Sequence, residues 1–359
     1  MKPQRLLYHL EPPRGWMYDP NGLCFFKGKY HVFYQHYPDA PVHGTMYWGH
    51  AVTDDFVHWE HLPIALSPDM PYENAGGCFS GSAVVKDGLL YLFYTGDASS
   101  GETQAAAVSE DGIHFEKYSG NPVIPVPPEE GSRDFRDPKV SFFDGCYHMV
   151  CGTGKDGIGK VVRYTSSDLL HWDYQGVLFE GADYGPVIEC PDFFRFGDEY
   201  VLFFSRMDRA CYSTVFAIGG FDGTKFTPRG IYTPETGPQF YAPQSFEAPD
   251  GRRVVIGWLY DWKRRPDPED DRAGALTIPR EFTIKDGKPC LFPVKEAAHL
   301  LSGSDPMVEV RKTSVTVGQY LLPLPEGMIR PRVDILRDSR TLEVFLNGGE
   351  ACYTVWYGR

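Results

Sequence analysis

The chain has 359 residues and a formal net charge of −13, with 15% aromatics, 38 Gly and 30 Pro. So acidic a surface excludes nucleic acid and anionic membrane as partners, because both require a basic face; a neutral or weakly charged small molecule fits better. No apolar run approaches the roughly 18 residues of a membrane span, and no signal-like apolar segment precedes the first motif, so a cytoplasmic location is expected.

Turn residues and large flat side chains in these proportions describe a β protein. In chain order, Asp19 precedes the strand-like run 30–35 (YHVFYQ), Ser80 precedes 90–96 (LYLFYTG), and Asp137 precedes 147–152 (YHMVCG). Glu189 then precedes 200–205 (YVLFFS), and Tyr241 precedes 254–260 (VVIGWLY). These lead residues recur every 52 to 61 positions, and each unit closes on an aromatic: Trp59, Phe115, Trp172, Phe226 and Phe282. Three closings carry an Asp-led turn, at 54–59 (DDFVHW), 111–115 (DGIHF) and 168–172 (DLLHW), which suits a link between outer strands. A unit of about 55 residues built from short apolar runs and turns has room for four strands, one propeller blade. The period-3.6 pattern of helical repeats is absent.

The predicted fold is therefore all-β: a five-bladed β-propeller, taken as a catalytic domain over 1–295, followed by a short, truncated β-sandwich-like segment over 296–359. Within that segment, 333–357 reads as three strands, with turns at Asp338-Ser339-Arg340 and Asn347-Gly348-Gly349; Asn-Gly supplies the positive φ that a tight hairpin needs. About 60 residues of sheet make too small a core to stand alone. The segment is expected to pack on the propeller or on another subunit, which would make a homo-oligomer. The eight Cys are Cys24, Cys78, Cys146, Cys151, Cys190, Cys211, Cys290 and Cys352; they are scattered through apolar runs without a C-x-x-C pair and read as reduced core residues.

Pseudo-symmetry brings equivalent repeat positions together around one axis. Three of the five lead positions are carboxylates, Asp19, Asp137 and Glu189, and two or three acids around one axis is the arrangement that glycoside cleavage uses. Acids beside Pro also form turns and caps, which is the bland reading of each one alone; their recurrence at equivalent positions favours chemistry. Apolar neighbours Val187, Ile188, Cys190 and Pro191 are expected to raise the Glu189 pKa and suit it to general acid. Arg136 beside Asp137, and Asn21 near Asp19, favour the ionised form, so one of these two is expected to be nucleophile or base. Residues 152–157 (GTGKDG) fit G-x-G-x-x-G, but a strand-like run follows instead of the helix that a phosphate cradle needs. The eleven His show no H-E-x-x-H pattern, and no metal or cofactor is expected. Ser80 lacks a G-x-S-x-G elbow and reads as a hydroxyl donor to ligand. Arg163, Arg206, Arg209 and Lys263 read as a solvated face rather than a phosphate reader.

Trp16-Met17-Tyr18-Asp19-Pro20-Asn21-Gly22, Phe79-Ser80-Gly81-Ser82, Arg136-Asp137-Pro138 and Glu189-Cys190 resemble, in order, the signature of glycoside hydrolase family 32, the invertases and fructan hydrolases. Phe33-Tyr34-Gln35, Trp48-Gly49-His50 and 241–246 (YAPQSF) are similar too. The resemblance implies a five-bladed propeller with a β-sandwich behind it, and retaining hydrolysis of β-fructofuranosides such as sucrose or short fructo-oligosaccharides. On matching motifs, Asp19 would be the nucleophile, Glu189 the acid and then the base, and Asp137 the transition-state stabiliser. Tyr18, Asn21, Gln35, Trp48, Phe79, Ser80, Arg136, Tyr241 and Trp258 would line the fructose pocket. A retaining outcome implies Asp19 and Glu189 carboxyls about 5 to 5.5 Å apart. The chain departs from the pattern at Tyr18, where the family usually has Asn, and in a tail less than half the usual sandwich. Two further readings stay open: an inverting propeller glycosidase acting on arabinan- or xylan-like substrates, and a non-catalytic sugar-binding propeller.

Overall fold

The computed structural model describes residues 4–207, 213–260, 262–263, 266 and 268–358; Arg209 and Cys211 lie outside them. Five four-stranded antiparallel units follow one another along the chain. They begin with the strands Gly15–Phe26, Gly77–Lys86, Phe135–Phe143, Ile188–Phe196 and Tyr241–Glu247. These first strands touch one another in a closed ring around an axis, and each is followed outward by its hairpin partner. They are the five blades that the repeat predicts. The ring is closed by Arg272–Ala273, which leaves the fifth repeat to pair in parallel with Gly15 and Trp16 of the first blade. Between blades, stacked aromatics fill the gaps, as where Phe143, Phe193, Tyr200 and Phe221 meet edge-on and face-on at 5.3–6.4 Å.

The Asp-led turns sit where expected, between third and fourth strands. Asp55, Asp111 and Asp168 each accept from two backbone N–H groups ahead of them and from a His ring nitrogen at 2.7 Å. In the first blade the acid that organises the turn is Asp55 and not its neighbour Asp54.

Behind the fifth blade lies a four-stranded sheet, Leu301–Ser302, Val333–Arg337, Thr341–Leu346 and Ala351–Trp356, with a three-stranded sheet over it. Alternation divides its two faces. Leu342, Val344, Leu346, Tyr353 and Val355 join Val315 and Val317 of the smaller sheet. Phe345 and Cys352 point the other way, into the core shared with the propeller. The sheet is thus buried on both faces and packs on the propeller. Among the described residues no helix is long and apolar enough to cross a membrane, and the seven described cysteines are free thiols.

Candidate active site

A shared irregularity near the start of each innermost strand builds the site. In every blade two consecutive residues oppose a single residue of the hairpin partner: Tyr18-Asp19 opposite Gln35, Phe79-Ser80 opposite Thr95, Asp137-Pro138 opposite Cys151, Cys190-Pro191 opposite Phe204, and Ala242-Pro243 opposite Gly257. Such a β-bulge re-aims side chains and breaks the strict alternation of a strand. Arg136 and Asp137, adjacent in sequence, can therefore both reach the site, and so can Glu189 and Cys190.

The ladder also corrects the equivalence inferred from motif spacing. Asp19 and Ser80 are second residues of their bulges, Asp137 is a first residue, and Glu189 and Tyr241 stand one residue before theirs. The true ladder equivalent of Glu189 and Tyr241 is Arg136. The lead motif is spread over three consecutive positions because the bulge lets all three face inward.

Three of these bulges place a non-glycine residue in the left-handed region: Asp137 at φ +63°, Cys190 at +48° and Ala242 at +47°. That conformation costs of order 1–3 kcal/mol and persists only where surroundings fix it. Here a side chain of the preceding blade accepts from each of these backbone N–H groups. Thr95 Oγ1 takes that of Asp137 at 2.9 Å, Asp137 Oδ2 that of Cys190 at 2.8 Å, and Ser205 Oγ that of Ala242 at 3.0 Å.

Asp19, Asp137 and Glu189 come together at this end of the axis. The Cys190 thiol stands 3.6 Å from Asp19 Oδ2 and 3.5 Å from Asp137 Oδ2. Ser80 donates to Asp19 Oδ2 at 2.6 Å, and Gln35 Nε2 donates in turn to Ser80 Oγ at 2.5 Å. Among the described residues, the buried Asp19 Oδ1 has no hydrogen-bond partner. Tyr241 donates to Glu189 Oε2 at 2.6 Å, while Arg136 Nε faces Glu189 Oε1 at 3.9 Å. Arg136 also reaches Glu102 at 3.5 Å and Asp134 at 2.7 Å, so one guanidinium serves several acids.

Burial and like charge dominate the electrostatics. Desolvation pushes the Asp19 carboxyl well above its usual range, with the charges of Asp137 and Glu189 adding to it and the Ser80 hydrogen bond opposing it. Asp137 is raised to about 6, again by burial first, with Arg136 pulling it down and Glu189 pushing it up. The sequence expectation that Arg136 and Asn21 favour the ionised form of these two aspartates is opposed by burial, since both residues are only 4% exposed. Nor do the apolar neighbours of Glu189 surround its carboxylate: Ile188 joins a core between blades, and the carboxylate meets Tyr241 and Arg136.

The expected pocket residues separate into two layers. Tyr18, Phe79, Arg136 and Glu189 keep part of their surface open. Asn21, Trp48 and Ser80 are 0% exposed, and Gln35 and Trp258 nearly so. Trp48 Nε1 donates to the Phe79 carbonyl at 2.9 Å and Trp258 Nε1 to the Met17 carbonyl at 3.0 Å, so both brace the strands that carry the site. Asn21 does likewise, with its amide oxygen set to accept from the Gln35 backbone N–H at 3.1 Å. Tyr18 stands edge-on to Trp258 and Trp262, with ring centres at 4.7 and 4.6 Å, and His43 completes this aromatic wall. Trp262, His43, Cys190 and Glu102 were not singled out as site residues; only the aromatic-rich composition hinted at the wall. Arg163, expected on a solvated face, is buried and bonded to His148 and the Gly223 carbonyl. Among the described residues no group of three or more His, Cys, Asp or Glu is placed to hold a metal ion.

The profile of the glycosyl hydrolases family 32 N-terminal domain matches residues 9–293. The chain belongs to glycosyl hydrolase family 32. Relatives of this family 32 chain include the raffinose invertase of Escherichia coli, 40% identical over 327 residues that make up 85% of this chain and 68% of that protein. A sucrose-6-phosphate hydrolase of the same organism is 43% identical over 82% of this chain and 65% of its own length. The chain thus spans about two thirds of these relatives. Among solved structures, the Bombyx mori family 32 β-fructofuranosidase superposes with a TM-score of 0.86 at 30% identity, covering 99% of this chain and 89% of that one. The sucrose-6-phosphate hydrolase of Lactobacillus gasseri gives 0.86 at 27% identity, with 99% and 88% covered.

Proposed function

We propose that this family 32 chain is a retaining β-fructofuranosidase that releases terminal fructosyl units from sucrose or short fructo-oligosaccharides. The observation that carries the reading is the convergence of Asp19, Asp137 and Glu189 at one end of the axis, with one Asp19 oxygen fixed by the Gln35–Ser80 relay and the other without a hydrogen-bond partner among the described residues. In the first step Asp19 Oδ1 attacks the anomeric carbon of the fructosyl unit, and Glu189 gives its proton to the departing oxygen. In the second step Glu189 takes a proton from water, whose oxygen displaces Asp19. Asp137 accepts from sugar hydroxyls and strengthens that contact as positive charge develops on the ring.

In this reading 1–295 is the catalytic unit, 296–359 supports it, the partner is a small sugar encountered in the cytoplasm, and neither nucleic acid nor membrane is bound. Any pairing between copies would use the short C-terminal sheet. Relatives named as sucrose-6-phosphate hydrolases add the 6-phosphate to the candidate substrates. The test is a panel of sucrose, sucrose 6-phosphate, kestose, inulin and arabinan, repeated in buffer containing methanol. Formation of methyl β-fructofuranoside supports retention. The α-anomer indicates inversion, cleavage of arabinan alone a different glycosidase, and sugar binding without turnover a non-catalytic propeller.

A further inference from the structure

Arg136, Glu189 and Tyr241 occupy the same ladder position in three consecutive blades, each one residue before a left-handed bulge residue that Pro follows. The carboxylate in the middle is therefore flanked by its two symmetry equivalents. A guanidinium stands off Oε1 at 3.9 Å and a phenol holds Oε2 at 2.6 Å. The two oxygens of one carboxyl group are thus made chemically different by the blades on either side.

We propose that Tyr241 is the positioning residue for Glu189, fixing Oε2 as a hydrogen-bond acceptor and leaving Oε1 as the oxygen that carries the proton to the leaving group and later takes one from water. The phenol has a single hydrogen, and Glu189 Oε2 at 2.6 Å and the Arg206 carbonyl at 3.2 Å both lie within its reach. The shorter, charge-assisted bond takes it. With Oε2 occupied, a proton on that oxygen would have to displace the Tyr241 hydrogen, so the acid form carries it on Oε1, on the Arg136 side. The phenolic hydrogen itself is not transferred in either step. The backbone holds the phenol in place: Tyr241 is 3% exposed, and the left-handed Ala242 after it is anchored to Ser205 of the neighbouring blade. Tyr241 had been expected to line the sugar pocket; here its hydroxyl is directed at the acid.

This inference rests on the fructosidase reading of the site. The test is Tyr241→Phe, which keeps the ring and removes only the hydroxyl, assayed on sucrose and on an aryl β-fructofuranoside whose leaving group departs without protonation. On sucrose, kcat is expected to fall roughly 10- to 100-fold, part of what a positioned acid contributes, with KM little changed. On the aryl substrate kcat/KM is expected to stay within about threefold of wild type, and rapid mixing should show a burst of aryl alcohol, because the water step that needs Glu189 as base has slowed. In a Glu189→Gln background the Phe substitution should cost nothing further. Thermal melts of each variant establish that the fold is intact. Equal losses on both substrates, or a rise in KM alone, overturn the inference and make Tyr241 a lining residue. A wild-type chain inert on every fructoside overturns the fructosidase reading and this inference with it; active wild type with an unaffected variant overturns this inference alone.

Discussion

Two of the buried charge clusters among the described residues are built on opposite rules. Where the C-terminal sheet meets the propeller, Arg280, fully buried, bonds Glu235 and Glu343 at 2.7 Å each. Glu343 also accepts from His9 at 2.7 Å, and His9 in turn meets Asp338 at 2.9 Å. Every carboxylate oxygen there has at least two donors, including the backbone N–H groups of Leu7, Tyr8, Ser339, Gly237, Thr354 and Ile278. At the ring axis Asp137 and Glu189 share the Arg136 guanidinium with Glu102 and Asp134, and among the described residues Asp19 Oδ1 has no donor. The consequences run in opposite directions: His9 is raised to about 9 and Asp338 is held low, while Asp19 and Asp137 are pushed up. A satisfied cluster stores stability, and an under-satisfied one keeps an oxygen free to react.

The sharpest way to break the comparison is Asp19→Asn. Turnover should fall by roughly 10⁴-fold or more, the scale for losing a nucleophile, while the melting temperature stays level or rises because a buried like charge has gone. A loss of fold alongside the loss of activity would mean that this cluster too is structural. Arg280→Met tests the other side. Removing one partner of a buried pair leaves uncompensated charge and should cost about 3–5 kcal/mol in denaturant unfolding; a cost under about 1 kcal/mol would show that the network does not hold the sheet to the propeller.

Acidity separates the clusters again, by pH window rather than by sign. His9 has a folded pKa above its unfolded value, so its contribution is complete below pH 6.5 and is lost as pH rises through about 9. The difference between 9 and 6.5 corresponds to about 3 kcal/mol. Asp137, raised from 3.8 to about 6, is likewise favoured when protonated, so stability should increase as pH falls through 6 and level off below 3.8. Melting curves for wild type, His9→Gln and Asp137→Asn across pH 4–10 would check both, each variant flattening its own limb. The smallest effect is expected from Tyr18→Asn. This opens the aromatic wall against Trp258 and Trp262 and should change KM for sucrose several-fold with little change in kcat; a change confined to kcat would place the phenol in the chemistry.

Much of this contrast was legible in the residues. The lead motifs and the closing aromatics gave five blades, and Asp19, Asp137 and Glu189 stood out because three carboxylates recur at one place in a repeat. What the spacing could not supply was the ladder. A bulge shifts register by one residue without changing the motif period, so Glu189 was matched to Asp137 when its partner is Arg136. The surroundings of Glu189 were hidden for a related reason: sequence neighbours in a strand face opposite ways, so Val187 and Ile188 say little about what meets its carboxylate, which is Tyr241 and Arg136. His9 gave no signal, since its partners Asp338 and Glu343 are more than 300 positions away.

Beneath the acids the axis is stoppered. Lys139 bonds the Ser245 carbonyl and Asp192, Gln244 donates to the Gly81 carbonyl, and Ser82 donates to that of Pro138, all of them buried. A separate recess of about 620 Å³ opens on the far side, between Lys139 and Phe142. The shaft is therefore a cul-de-sac: a polymer cannot thread it, only a chain terminus can enter, and whatever is released must back out through the doorway by which it came.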